Sequence, residues 1–154
     1  MNFAAVGRGI PRRNGAIQAT GRAQYGVDFS LPRMLWGAIA RSEQSHARIV
    51  KVDVSRALAL PGVKAVVTGQ EEPDGLYGAR LRDEPIFAKD RVRYVGEPVA
   101  AVAAVDEDTA AEAARLVKVE YEPLPHLLTT EEALREGAVL IHPDLGTYFH
   151  RSYD

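Results

Sequence analysis

A chain of 154 residues, 46% hydrophobic and 26% charged, has the size of one ordinary domain and can bury a core of its own. Its formal net charge of -2 supplies no long-range pull toward nucleic acid or an anionic membrane. It has no cysteine, which excludes disulfides, thiolate metal sites, iron–sulfur ligation and a cysteine nucleophile.

Residues 1–20 are rich in Gly, Pro and Arg and read as an extended arm, ordered only where something docks on it. Arg8, Arg12, Arg13 and Arg22 are too few, without interleaved aromatics, for a nucleic-acid patch; a solvated or partner-facing arm is the better reading. The opening residues do not form a secretory signal, and no apolar run has the length of a membrane span. The expected location is the cytoplasm.

Met34 to Ala40 reads as a buried strand. In His46 to Val54, Val50, Val52 and Val54 alternate with Lys51 and Asp53, which predicts a half-buried strand. Ser55 to Leu60 is expected to make one helical turn with Ser55 as N-cap, and Pro61-Gly62 breaks it. Val63 to Thr68 is a further strand. Gly69 to Lys89 is the longest irregular segment, and loops of such length are usually functional or mobile.

Val99 to Val105 contains no polar residue in seven. Such a strand belongs in the middle of a covered sheet, because each exposed apolar side chain forfeits burial energy. Asp106 is expected to cap a helix with Glu107 and Asp108 in the first turn, and Ala110, Ala113, Ala114 and Val117 share one helix face. Val117, Val119 and Tyr121 alternate with Lys118 and Glu120 in a last strand, stopped by Pro123 and Pro125. Thr130 to Glu136 is a short helix capped by Thr129 or Thr130 and ended by Gly137. The expected class is α+β: a mixed sheet with helices mainly on one face.

The residues assemble no catalytic centre. His46, His126, His142 and His150 match no common zinc spacing and read as surface or core-edge residues. Glu71-Glu72 and Asp83-Glu84 are adjacent acidic pairs on the long loop, better read as solvated. No serine stands in a nucleophile elbow, and Gly7-Arg8-Gly9 is not a dinucleotide fingerprint.

Phe87-Ala88-Lys89-Asp90-Arg91-Val92-Arg93-Tyr94-Val95-Gly96-Glu97-Pro98 with the apolar run behind it resembles the molybdenum hydroxylases, the xanthine dehydrogenase and aldehyde oxidase family. The similar part there is the a/b hammerhead domain of the molybdenum-binding subunit. Gly21-Arg22-Ala23-Gln24-Tyr25, Asp28 and Leu31-Pro32 are similar to the family's opening. Leu35-Trp36-Gly37-Ala38, Arg41-Ser42, His46-Ala47-Arg48-Ile49, Leu60-Pro61-Gly62-Val63 and Val117 to Pro125 continue the resemblance in order. Glu43-Gln44-Ser45 depart from it where the family usually has Pro and His.

The resemblance implies an arm over 1–20, a hammerhead domain over 21–146, and a tail over 147–154 leading toward downstream domains. It implies oxygen insertion from water into a C–H bond, with the metal carrying the chemistry and the protein supplying orientation and access. The molybdopterin contacts and the catalytic glutamate would lie downstream, so this chain is expected to bind no cofactor and to be inactive alone. Iron–sulfur clusters and FAD would sit on partner subunits or domains. Leu76, Tyr77, Arg80, Leu81 and Phe87 are the candidate channel-wall residues, since aromatics with an Arg can hold a flat heterocycle or an anion. The bland alternative is an ordinary surface loop. Gly96, Glu97 and Pro98 are candidates to abut the cofactor domain, or simply set the turn into the strand. The alternative function is a free-standing interaction module, because fold does not fix function.

Overall fold

A computed structural model describes residues 7, 9–71, 75–78 and 82–143. The expected tail over 147–154 lies outside them, as do Glu72 and His150. The chain divides into two compact units, Met1–Met34 and Leu35–Asp154.

In the first unit, α1 (Gly15–Ala19) falls in the stretch expected as extended, and Thr20 Oγ1 donates to the Ala16 carbonyl at 2.7 Å. A 3-10 turn follows at Gly26–Asp28, where Asp28 Oδ2 accepts the Tyr25 N–H at 2.8 Å. Tyr25, Val27, Phe29 and Leu31 of this unit are all exposed.

The second unit holds β1 (Trp36–Arg41), β2 (Ala47–Asp53), α2 (Ser55–Ala59), β3 (Val63–Thr68), β4 (Arg91–Val92), β5 (Pro98–Ala104), α3 (Glu107–Leu116), β6 (Lys118–Pro123) and α4 (Thr130–Ala133). The α+β class expected from the pattern holds. The sheet is realised as two three-stranded sheets, β1-β5-β3 and β4-β2-β6, with antiparallel pairing throughout.

The all-apolar β5 is the central strand of the first sheet. Val102 faces α2 and α3 and packs with Ala57 and Ala113 in a cluster bordered by Leu60, Val63 and Val66. Ala110 and Ala113 of α3 are fully buried; their small side chains let the helix lie close against the sheet. Asp106 caps α3 as its position predicts, its Oδ1 accepting the Thr109 N–H at 2.7 Å. At Ala40/Arg41 the β1–β5 register shifts, and Val99 packs instead with Ala47, Ala88 and Val92 beneath the second sheet. One strand therefore contributes to both cores.

Several local expectations change. The strand expected over Met34–Ala40 runs Trp36–Arg41 and is a half-exposed edge strand, not a buried one, with Trp36 and Ile39 both exposed. In β2 the register against β6 shifts between Ile49 and Lys51, so Val50 is exposed while Val52 turns inward. Ser55 does not cap α2; Asp53 Oδ1 accepts the Ser55 N–H at 3.0 Å. Helix α4 stops at Ala133, earlier than expected, with the predicted Thr129 cap closed by Glu132.

The ends of the long loop are tied together. A Cβ at Gly69 would stand 2.6 Å from the Ala88 carbonyl oxygen, so only glycine permits this approach. Gln70 Nε2 adds a bond to the Lys89 carbonyl at 3.2 Å.

Candidate functional site

The returning half of the loop and the turn before β5 enclose a cavity of about 230 Å³, lined by Tyr77, Asp83, Glu84, Pro85, Arg93, Tyr94, Glu97 and His142. The loop reaches it because Tyr77 and Glu84 form a two-residue antiparallel bridge, with Tyr77 N–H to Glu84 O at 2.8 Å and Glu84 N–H to Tyr77 O at 3.1 Å. Alternation of apolar and polar residues is too weak there to signal a strand pair.

The turn is built by backbone. Gly96 has φ +93°, a left-handed conformation suited to glycine. Its N–H donates to the Ser42 carbonyl at 2.7 Å, and its carbonyl accepts from Arg41 Nη1 at 2.9 Å. The Glu97 carbonyl accepts the Ser42 N–H at 2.9 Å, and the Pro98 carbonyl accepts the Ala88 N–H at 2.8 Å. These bonds aim Glu97 inward, 4% exposed.

The Glu97 carboxylate accepts the Arg93 N–H, and its second oxygen lies 3.6 Å from Arg93 Nη1. Burial pushes the Glu97 carboxyl above the usual glutamate range, against the pull of those contacts. Arg93 Nε is buried without a partner among the described residues. Across the cavity, His142 Nδ1 lies 3.7 Å from Asp83 Oδ2. Burial likewise raises the Tyr94 hydroxyl. His46 stands apart from the cavity. It is a buried core-edge residue whose Nδ1 donates to the Pro125 carbonyl at 2.6 Å, tying β2 to the segment after β6.

Of the candidate residues, the structure brings Tyr77 and Glu97 to one cavity. Leu76 is exposed and lies outside the lining; Phe87, Gly96 and Pro98, all half-buried, also lie outside it. Arg80 and Leu81 lie outside the described residues. Sequence reasoning missed Arg93, Tyr94, Asp83 and His142 as lining. Arg93 and Glu97 are spaced by four, yet they sit in a turn rather than a helix, so no periodicity marks them as partners.

The cavity sets the carboxyls of Asp83, Glu84 and Glu97 against Arg93, which Glu97 already offsets. Such a lining, with more carboxyls than cations, disfavours a phosphate-bearing group. Among the described residues no group of three His, Cys, Asp or Glu could hold a metal ion, and no helix is long and apolar enough to cross a membrane.

Residues 20–125 match the family described as aldehyde oxidase and xanthine dehydrogenase, a/b hammerhead domain. The chain is 42% identical over 144 residues to a probable xanthine dehydrogenase component of Bacillus subtilis, covering 92% of this chain and 19% of that protein. It is 35% identical to the nicotinate dehydrogenase large molybdopterin subunit of Eubacterium barkeri, covering 93% of this chain and 34% of the other. Among solved structures, the aldehyde oxidoreductase of Desulfovibrio gigas superposes with a TM-score of 0.77 at 32% identity, over 86% of this chain and 16% of that one. The chain thus spans a fifth to a third of the curated relatives named and less of the solved chain.

Proposed function

The chain belongs to the aldehyde oxidase and xanthine dehydrogenase family, as its a/b hammerhead domain, and on that premise we propose that it serves as the N-terminal domain of a molybdenum-binding subunit. It packs against the molybdopterin domains and shapes the substrate channel, acting by position rather than by chemistry of its own.

One observation carries the reading: a family match over most of the chain coincides with a cavity, lined by Tyr77 and Tyr94, beside the turn that feeds β5. The acidic cavity does not fit molybdopterin with its phosphate, so no residue here is assigned to the cofactor. The rest of the large subunit would hold it, with iron–sulfur and FAD subunits or domains taking the electrons. Tyr77, with Leu76, Arg80, Leu81 and Phe87 of the same loop, would wall the channel. Gly96, Glu97 and Pro98 would meet the cofactor domain through the turn whose backbone bonds hold it rigid.

The test is reconstitution. The chain, mixed at micromolar concentration with a polypeptide carrying the remaining domains of the large subunit, should form a complex and restore hydroxylation. Tyr77→Ala should keep the thermal midpoint of the chain and change the ratio of kcat/KM between aromatic substrates by about tenfold. A complex that never forms makes the chain a free-standing module; an unchanged ratio removes Tyr77 from the channel.

A further inference from the structure

A strand apolar on both faces predicts burial on both; β5 buries Ala100, Val102 and Ala104 on one, while Ala101 and Ala103 on the other are only half-buried. Antiparallel pairing places Ile39, Ala101 and Val67 in one cross-strand row and Gly37, Ala103 and Ala65 in the next. These rows lie on the face opposite Val102, away from α2 and α3. No polar side chain stands in either row. Ile39 is 45% and Val67 41% exposed, while Ala65 and Gly37 are also open to solvent. A contiguous apolar sheet face of this kind marks an interaction surface.

Gly37 adds an independent sign. A Cβ there would meet nothing in this chain nearer than the Val102 carbonyl oxygen at 3.9 Å, so the domain itself has no steric need for glycine. Glycine inside a strand weakens it and often marks the close approach of another backbone.

We propose that this outer face of β1-β5-β3 is the docking surface for the rest of the large subunit, which covers it with large apolar side chains. The inference rests on the assembly proposed above and names a face that the Gly96–Pro98 turn does not include. Two facts select this occupant. In the superposed aldehyde oxidoreductase the matched part is 16% of the chain, so most of that chain is available to cover it. The centre of the face is alanine and glycine; two copies of it would meet small side chain on small and bury little, whereas protruding aliphatic or aromatic side chains would fill it.

The experiment measures the Kd between the 154-residue chain and the polypeptide carrying the remaining domains of the large subunit, with melting of each chain variant in parallel. Gly37→Val and Ala101→Arg should weaken association at least about tenfold. Gly37→Val should leave the melting midpoint of the chain unchanged or higher. Should Ala101→Arg fail to fold, Ile39→Arg and Val67→Arg, on the edge strands, carry the same expectation. Val50→Arg, on an exposed position of the other sheet, should leave association unchanged. Parent-like binding by every folded outer-face variant overturns the proposed face and leaves the assembly standing. Absence of binding by the parent overturns both. A parent that sediments as a dimer and becomes a monomer on Ile39→Arg makes a second copy the occupant, and overturns the proposal.

Discussion

Glu97 ends the turn that feeds β5 with its carboxyl buried, and that burial governs its titration. Its folded pKa is raised, so the stability tied to it is fully present below the unfolded value, about 4.3, and is lost as pH rises through the folded value. Glu97→Gln keeps the shape and an acceptor for the Arg93 N–H but cannot ionise. The midpoint difference, variant minus parent, should therefore rise as the pH goes from about 4 to about 7. Whatever the substitution costs the Arg93 contact shifts this curve without tilting it. A flat difference would mean that water reaches the carboxylate. No feature of Gly-Glu-Pro as a tripeptide distinguishes a buried acid from an exposed one. The Ser42 and Gly96 backbone bonds decide it, and they join residues far apart in the chain.

Among the elements, α3 was the most legible. Asp106, two acidic residues in the first turn and a row of alanines on one face are local signals, and the helix starts where they say. The Asp106 carboxyl is held below the usual aspartate range by the Thr109 N–H and hydroxyl. A lowered folded pKa means the cap stabilises above the unfolded value, about 3.9, and is lost as pH falls through the folded one. Asp106→Ala should lower the thermal midpoint by a few degrees at pH 7, with the deficit shrinking as the pH falls below about 4. Strands other than β4, which no pattern announced, were legible in place but not in facing. The shifts at Ile49/Lys51 and Ala40/Arg41 exchange inside and outside partway along β2 and between β1 and β5. A bulge leaves almost no mark on composition, because its cause is the partner strand.

For the second unit as a whole, β5 is the hinge of the packing. Val99 belongs to the core under the second sheet and Val102 to the core under the helices, three residues apart on one strand. Melting one cluster removes a side of the other. Val99→Ala and Val102→Ala should each cost about 2 kcal/mol, and each should keep a single urea transition by both circular dichroism and Trp36 fluorescence. Two separated transitions in Val99→Ala would show that the sheets unfold independently.

Local pattern was enough to establish an α+β domain with β5 at its centre and a capped helix against it. It also carried the hammerhead resemblance that the family match bears out. These follow from apolar period, capping chemistry and motif order, which are written within a few residues of each other. Folding in three dimensions was needed to divide the six strands of the described residues into two sheets, to bring Tyr77, Arg93, Glu97 and His142 to one cavity, and to leave the outer face of β1-β5-β3 only partly covered. Those depend on pairing and contact between distant segments, whose energies no short stretch of residues records.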